Sequence, residues 1–137
     1  MMLKLLALSL TLLTGLFCGL AQATVLQRPI SLDTGSGELF GSLLLPKSDT
    51  PVPVVLIISG SGPTDRDGNN PEGGRNDSLK RLAWVLARHN IASVRYDKRG
   101  VAASLAATPD ERNLSVEAYV ADAVAWSHKL AADPRLG

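Results

Sequence analysis

The sequence predicts an α/β fold in which a β-hairpin precedes a strand, a helix, a second strand and a second helix. Three observations support this prediction: a continuous apolar run followed by a second strand-like segment, a helical pattern of apolar residues after each of them, and turn-forming residues at the boundaries. Strands that alternate with helices are typical of parallel sheets with right-handed crossovers. We therefore expect a single α/β domain.

The hairpin is the first predicted element. Residues Val25 to Leu32 and Leu39 to Leu45 are rich in strand-forming side chains, and the sequence DTGSG at 33–37 lies between them. Glycine and aspartate at such a point favour a tight turn. The apolar run Val54 to Ile58 is then expected to be a central strand, covered on both faces.

Two helices and one more strand are predicted downstream. Asn76 and Asp77 would cap the first helix. Its apolar face is predicted to comprise Leu79, Leu82, Ala83 and Leu86. Ile91 to Tyr96 would form a second buried strand, and Ala102 to Asn113 a loop. Ser115 would cap the last helix. Its apolar face is predicted to comprise Val116, Val120, Ala123, Val124 and Leu130.

The first 23 residues have the pattern of a secretory signal peptide. They contain Lys4, an apolar stretch at 5–20 and the sequence Ala-Gln-Ala at 21–23. This arrangement predicts cleavage at Ala23–Thr24 and export to the periplasm or the medium. An uncleaved membrane anchor and a lipoprotein that uses Cys18 are the alternatives.

The composition limits the mature chain, residues 24–137, to one domain without disulfides. The sequence has 14 lysines and arginines and 13 acidic residues, and Lys4 lies in the leader, so the mature chain is formally neutral. It therefore has no basic field for nucleic acid or anionic lipid. Because the single cysteine also lies in the leader, stability must come from a hydrophobic core.

A loop rich in glycine and charge follows the first apolar run. It reads SGSGPTDRDGN at 59–69, and RYDKRG at 95–100 ends the next predicted strand. These two stretches, with a helix between them, resemble the α/β-hydrolase carboxylesterases of the bacterial EstD-like group, whose wider set includes serine aminopeptidase-like and dienelactone-hydrolase-like relatives. The resemblance covers residues 25–137 and departs from the group at Ala102, where the group has glycine. It implies the N-terminal part of an α/β-hydrolase fold.

The resemblance also implies a function and a set of site residues. The whole enzyme would be an exported serine hydrolase that acts on small-molecule carboxylic esters, without a cofactor or metal. The backbone N–H of Ser61 would stabilise the oxyanion, with that of Gly62 as the second choice. Charged residues would hold the two loops together, unless they are solvated surface charges. These residues are Asp65, Asp67, Arg95 and Arg99.

The nucleophile of such an enzyme is not found in this sequence. A serine hydrolase of this type needs a Gly-x-Ser-x-Gly elbow, then an acid and a histidine; the elbow does not occur, and His89 and His128 fall in predicted helices. We expect the triad beyond Gly137, an inactive chain on its own, and a tendency of that chain to aggregate. Peptidase or thioesterase activity, a non-catalytic remnant and a binding module are the alternatives.

The signal-peptide prediction is tested at the N-terminus of exported protein. We expect N-terminal sequencing of periplasmic material to begin at Thr24, because the small residues at 21 and 23 fit the cleavage enzyme. A lipidated Cys18 at the N-terminus, or an intact Met1 in the membrane fraction, would contradict this expectation.

Overall fold

The computed structural model describes residues 24–108, 110, 112 and 114–137 of the protein. The predicted signal peptide, residues 1–23, lies outside them. In the described part of the chain, a four-stranded mixed sheet lies between two helices. No helix among these residues has the length and apolar character needed to cross a membrane.

The order of the elements confirms the predicted α/β succession. The strands are β1 (Val25–Asp33), β2 (Glu38–Pro46), β3 (Val54–Ile57) and β4 (Ala92–Tyr96). The helices are α1 (Ser78–Arg88), a short 3-10 helix (Ala102–Ala107) and α2 (Val116–Ala131). The sheet order is β1-β2-β4-β3. Strand β2 is antiparallel to both β1 and β4, whereas β3 and β4 are parallel, as a crossover through α1 requires.

Strand β4 separates two apolar cores and is buried along its whole length. On one face Tyr96 contacts Trp126 of α2, with ring centroids 5.2 Å apart. The other face looks toward α1, whose Ala83 and Ala87 pack with Leu44 and Ile57. Small side chains on α1 allow the helix to approach the sheet closely. The apolar residues Ala92, Val94 and Tyr96 alternate with Ser93 and Arg95, and all five are buried because both faces of the strand are covered.

Of the five residues predicted for the apolar face of helix α2, only Leu130 is buried. Val116, Val120 and Val124 are 73%, 56% and 50% exposed. The buried residues of the helix are Asp122, Trp126 and Leu130. The large Trp126 ring packs on Tyr96 and so turns the valines outward. The predicted cap was right, because the Ser115 hydroxyl accepts a hydrogen bond from the Ala118 amide at 3.2 Å.

Helix α1 also differs from the prediction in its face and its cap. Leu82, placed on the buried face by its spacing, is 45% exposed. Asp77 occupies the N-cap position in a left-handed conformation, and its side chain bonds to no helix amide. The Asp67 carbonyl oxygen instead accepts the amides of Leu79 and Lys80 at 3.1 and 3.4 Å. The side chain of Asn76, the other predicted cap residue, accepts the first amide of the helix, that of Ser78, at 2.9 Å.

The segment predicted as a loop at 102–113 contains the 3-10 helix. Its Ser104 is fully buried and accepts the amide of Phe40 in β2 at 3.0 Å, which anchors the helix to the sheet. Ala102 has a φ of 45°, a left-handed conformation that alanine adopts with strain of about 1–2 kcal/mol. The glycine that the EstD-like group has at this point would adopt it freely.

Strand β3 was expected at the centre, but it forms an edge of the sheet in the described residues. Val55 of β3 and the adjacent Ile58 are 38% and 51% exposed. Just before the strand, Val52 pairs in parallel with Leu136, and the Val52 oxygen accepts the Gly137 amide at 3.0 Å. The C-terminal residues therefore lie beside the same edge, and most of the hydrogen-bonding groups along β3 have no strand partner there.

We expect residues 24–137 to associate through this edge. An apolar, uncharged strand edge is a template for pairing with another chain, and an inward-pointing lysine opposes such pairing. Val55→Lys should therefore reduce association in size-exclusion chromatography with light scattering. The matched control Val116→Lys, at an exposed valine of α2, should leave it unchanged. A monodisperse monomer with a sharp thermal transition in the unaltered protein would contradict the expectation.

Candidate functional site

Two loops lie at the carboxyl ends of the parallel strands. The first, residues 59–70, follows β3 and is called the glycine loop; the second, residues 97–101, follows β4 and is called the β4 loop. Open α/β sheets bind ligands at this edge. A cavity of about 410 Å³ is lined by residues of both loops, by the segment that follows the glycine loop (Pro71, Gly74 and Arg75) and by Ala102, but not by Ser61 or Gly62. The candidate site therefore lies where these two loops meet.

Asp97 is the main connection between the two loops. This carboxylate is 2% exposed and accepts the backbone amide of Arg66 at 2.7 Å. Its second oxygen accepts Nε and Nη2 of Arg66 at 3.2 and 2.9 Å and the Ala103 amide at 3.2 Å. Arg66 also reaches the hydroxyl of Ser42 on β2 at 3.1 Å. Four donors thus satisfy one buried charge, and two of them come from the Arg66 side chain.

A second ion pair runs beside the first. Arg95, which is 1% exposed, donates from Nε and Nη2 to one oxygen of Asp67 at 3.3 and 3.1 Å. Arg66 therefore pairs with Asp97, and its neighbour Asp67 pairs with Arg95. Along each segment the positive and negative residues occur in opposite spatial order, so that each charge faces its opposite. This arrangement fixes the register of the loop on the end of β4, because a slip by one residue would bring like charges together.

The structure brings together two of the four predicted clamping residues, Asp67 and Arg95. Asp65 instead shapes its own loop, since its Oδ1 accepts the amides of Asp67 and Asn69 at 2.9 Å each. Arg99 donates to both oxygens of Asp122 on α2 at 2.7 Å, and this hydrogen bonding raises the pKa of the arginine. Asp65 and Arg99 therefore do not join the two loops. The pairing of Arg66 with Asp97 was not predicted.

Lys98 is a further contact that sequence reasoning missed. Its side chain is largely buried, with 8% of the residue exposed. Its ammonium donates to the carbonyl oxygens of Gly60 and Gly62, the latter at 3.2 Å. Burial lowers the pKa of Lys98, whereas carbonyl acceptors favour the charged form. Sequence reasoning missed this contact because a lysine that follows a strand is usually a solvated surface charge.

The predicted oxyanion residues, Ser61 and Gly62, lie at the exposed tip of the glycine loop. Within the described ranges, neither of their amides donates to an acceptor of the protein. The carbonyl of Ser61 accepts the Thr64 hydroxyl at 2.9 Å, and Ser59 donates to the Thr64 carbonyl at 3.0 Å. Gly62 has a φ of 70°, which favours glycine. The amides of Ser59, Gly60 and Thr64 likewise have no acceptor among the described residues, so Ser61 and Gly62 belong to a short run of loop amides that remain available as donors.

No set of three or more His, Cys, Asp or Glu residues in the described part of the chain could hold a metal ion. What the arrangement offers is a pair of backbone N–H donors held over the end of a parallel strand. Such donors suit a developing negative charge on oxygen.

We expect the buried ion pair of Asp97 to stabilise the fold. Asp97→Ala would leave the Arg66 guanidinium and two backbone amides without their acceptor, which costs about 3 kcal/mol in the free energy of unfolding. The matched control is Asp110→Ala, because Asp110 pairs with an Arg112 side chain that is 89% exposed, and such a pair contributes at most about 1 kcal/mol. Equal losses in urea denaturation of the two variants would contradict this prediction.

Comparison with known proteins gives a consistent picture. No family model matches the chain. In sequence, the chain is 34% identical to Esterase EstD of Thermotoga maritima over an alignment of 93 positions, which covers 62% of the chain and 22% of that protein. In structure, the chain resembles a dienelactone hydrolase-like promiscuous phosphotriesterase from metagenomic libraries, with a TM-score of 0.59 and 22% identity over 82% of the chain. It also resembles a cold-adapted esterase from an Arctic intertidal metagenomic library, with a TM-score of 0.50 and 18% identity over 78% of the chain.

The chain is shorter than each of these proteins. It spans about a fifth of Esterase EstD, and 45% and 44% of the two solved structures. The structural similarity supports the fold, and the sequence similarity supports the predicted resemblance. The chain is therefore similar to an esterase in sequence and has part of the α/β fold of the solved structures.

Proposed function

We propose that this chain is part of an exported serine hydrolase of carboxylic esters and supplies one of its oxyanion-binding amides. The observation that carries the proposal is the pair of backbone donors at Ser61 and Gly62, which lack protein acceptors within the described residues. They lie in the loop after β3, from which α/β-hydrolases take one oxyanion donor. The similarity to Esterase EstD supports an ester as the substrate.

The proposed mechanism is acyl transfer to water. A serine, activated by histidine, attacks the ester carbonyl, and the negative charge that develops on its oxygen is bound by two N–H groups. One is the Ser61 amide, and the other is the amide after the nucleophile. The Ser61 hydroxyl takes no part. The serine, acid and histidine would come from chain outside residues 24–137.

The charges at the site favour a small neutral substrate. The mature chain is formally neutral. Arg66 and Asp67 of the glycine loop are paired with Asp97 of the β4 loop and Arg95 of β4. A substrate such as nucleic acid, which needs a basic field, is therefore not proposed. Peptides and thioesters react by the same acyl transfer and enter the test as competing substrates.

The decisive experiment starts with the coding sequence downstream of residue 137. The longest protein that the gene encodes would be purified and assayed with p-nitrophenyl esters, peptide anilides and acyl thioesters. It would also be labelled with a fluorophosphonate probe. Preference for the esters and labelling of one serine in a Gly-x-Ser-x-Gly sequence would support the proposal. Faster cleavage of the anilides or thioesters would replace the ester with a peptide or a thioester as the proposed substrate. The absence of labelling would overturn the proposal of a serine hydrolase.

We expect the 137-residue chain alone not to hydrolyse p-nitrophenyl esters above background, because an oxyanion donor without a nucleophile has little to stabilise. In the longer protein, Ser61→Pro should lower kcat by about 10²–10³-fold, as loss of one oxyanion donor does. Ser61→Ala keeps the amide and should retain most of the activity. Saturable hydrolysis by the short chain that Ser61→Ala abolishes would instead make Ser61 a nucleophile.

A further inference from the structure

We propose that Lys98 is the positioning residue that orients the Ser61 amide for oxyanion binding; its catalytic consequence rests on the proposed function. Lys98 does not contact the amide itself. It holds the carbonyl oxygens of Gly60 and Gly62, which lie on either side of Ser61. The step from this contact to the amide depends on the geometry of the peptide bond.

The contact between Lys98 and the glycine loop is tertiary and largely excluded from water. The two acceptors are 38 and 36 residues away along the chain, and Lys98 itself is 8% exposed. A buried ammonium is unfavourable unless its donors find acceptors. An ammonium has three donors, and two loop carbonyls accept from it here. The cost of burying the charge therefore favours conformations in which both carbonyls face Lys98.

A planar trans peptide then determines where the Ser61 amide lies. No peptide bond in the described part of the chain is cis, and in a trans peptide the C=O and the following N–H are directed oppositely. The Gly60 carbonyl faces Lys98, so the Ser61 N–H faces away from it. The Gly62 carbonyl has no such counterpart, because Pro63 lacks an N–H. Lys98 thus directs the Ser61 amide in particular.

The glycine loop needs such a contact because it has little to hold its peptide planes. Gly60, Ser61 and Gly62 are all exposed, and a Cβ added at Gly60 would meet nothing within 4 Å. Glycines on both sides of Ser61 allow the intervening peptides to rotate with little steric resistance. The Ser59 hydroxyl holds the base of the loop through the Thr64 carbonyl, and the Thr64 hydroxyl holds the carbonyl of Ser61, so neither bond fixes the Gly60 carbonyl.

The contact is tested by carbon-13 NMR of the carbonyl groups in the full chain. Magic-angle spinning on sedimented protein makes the measurement independent of association. We expect Lys98→Met to shift the Gly60 and Gly62 carbonyl signals upfield, because they lose a charged donor. The control Lys129→Met, at an exposed lysine of α2, should leave both signals in place. In the unaltered protein, both signals should move together as Lys98 loses its proton at alkaline pH, which needs no variant to fold.

The catalytic consequence is tested in the longest protein that the gene encodes, with p-nitrophenyl acetate as substrate. Lys98→Met should lower kcat by about 10–100-fold with little change in KM, because the misdirected amide would have bound the transition state. Lys98→Arg, which keeps a charged donor, should recover part of the loss, and Lys129→Met should have no effect.

Each outcome separates this inference from the proposed function. Carbonyl signals that respond neither to Lys98→Met nor to alkaline pH would overturn the contact, whatever the enzyme does. Responding signals with an unchanged kcat would overturn the positioning role alone. If the unaltered protein hydrolyses no ester, the proposed function fails and the catalytic role of Lys98 fails with it, while the carbonyl signals still decide whether Lys98 holds the loop.

Discussion

The burial of the Asp97 carboxylate is the constraint on which the glycine loop depends. A charge at the end of a buried strand costs several kcal/mol unless hydrogen-bond donors surround it. Arg66 supplies three of the four donors within reach, one from its backbone and two from its side chain. The loop therefore has to close over β4 to satisfy the charge, and closing it brings Asp67 onto Arg95.

The same loop organises the start of helix α1. Asp65 bonds to the Asn69 amide, and the Asn69 side chain accepts two amides at the helix start and donates to Asp77 at 2.7 Å. Because Asn69 is 4% exposed, these bonds are shielded from water and hold the loop to the helix. The residues from β3 to α1 consequently form one hydrogen-bonded unit, in which only the tip at 60–62 is held mainly by Lys98.

The sequence was sufficient to predict the order of the elements but not which face of each helix is buried. A continuous apolar run identified β3, a second strand-like segment identified β4, and the residues of the two loops identified the resemblance. The face of α2 was wrong because three valines at helical spacing outweighed a single tryptophan, although Trp126 fits against Tyr96 and is fully buried. At the site, the sequence placed the charges correctly at two strand ends. It could not choose the partners, since Arg66, Arg95 and Arg99 are equivalent donors until the backbone sets their distances.

The polar contacts at the site have two separable physical roles. The ion pairs of Asp97 and Asp67 determine where the glycine loop lies, because they involve its base and are largely buried. Lys98 contacts the exposed tip and determines which way its peptide planes face. Glycine at 60 and 62 makes that separation possible, since a tip with side chains would fix its own dihedral angles. The stability of the fold therefore depends on the ion pairs and not on the tip, while the orientation of the Ser61 amide depends on the Lys98 ammonium.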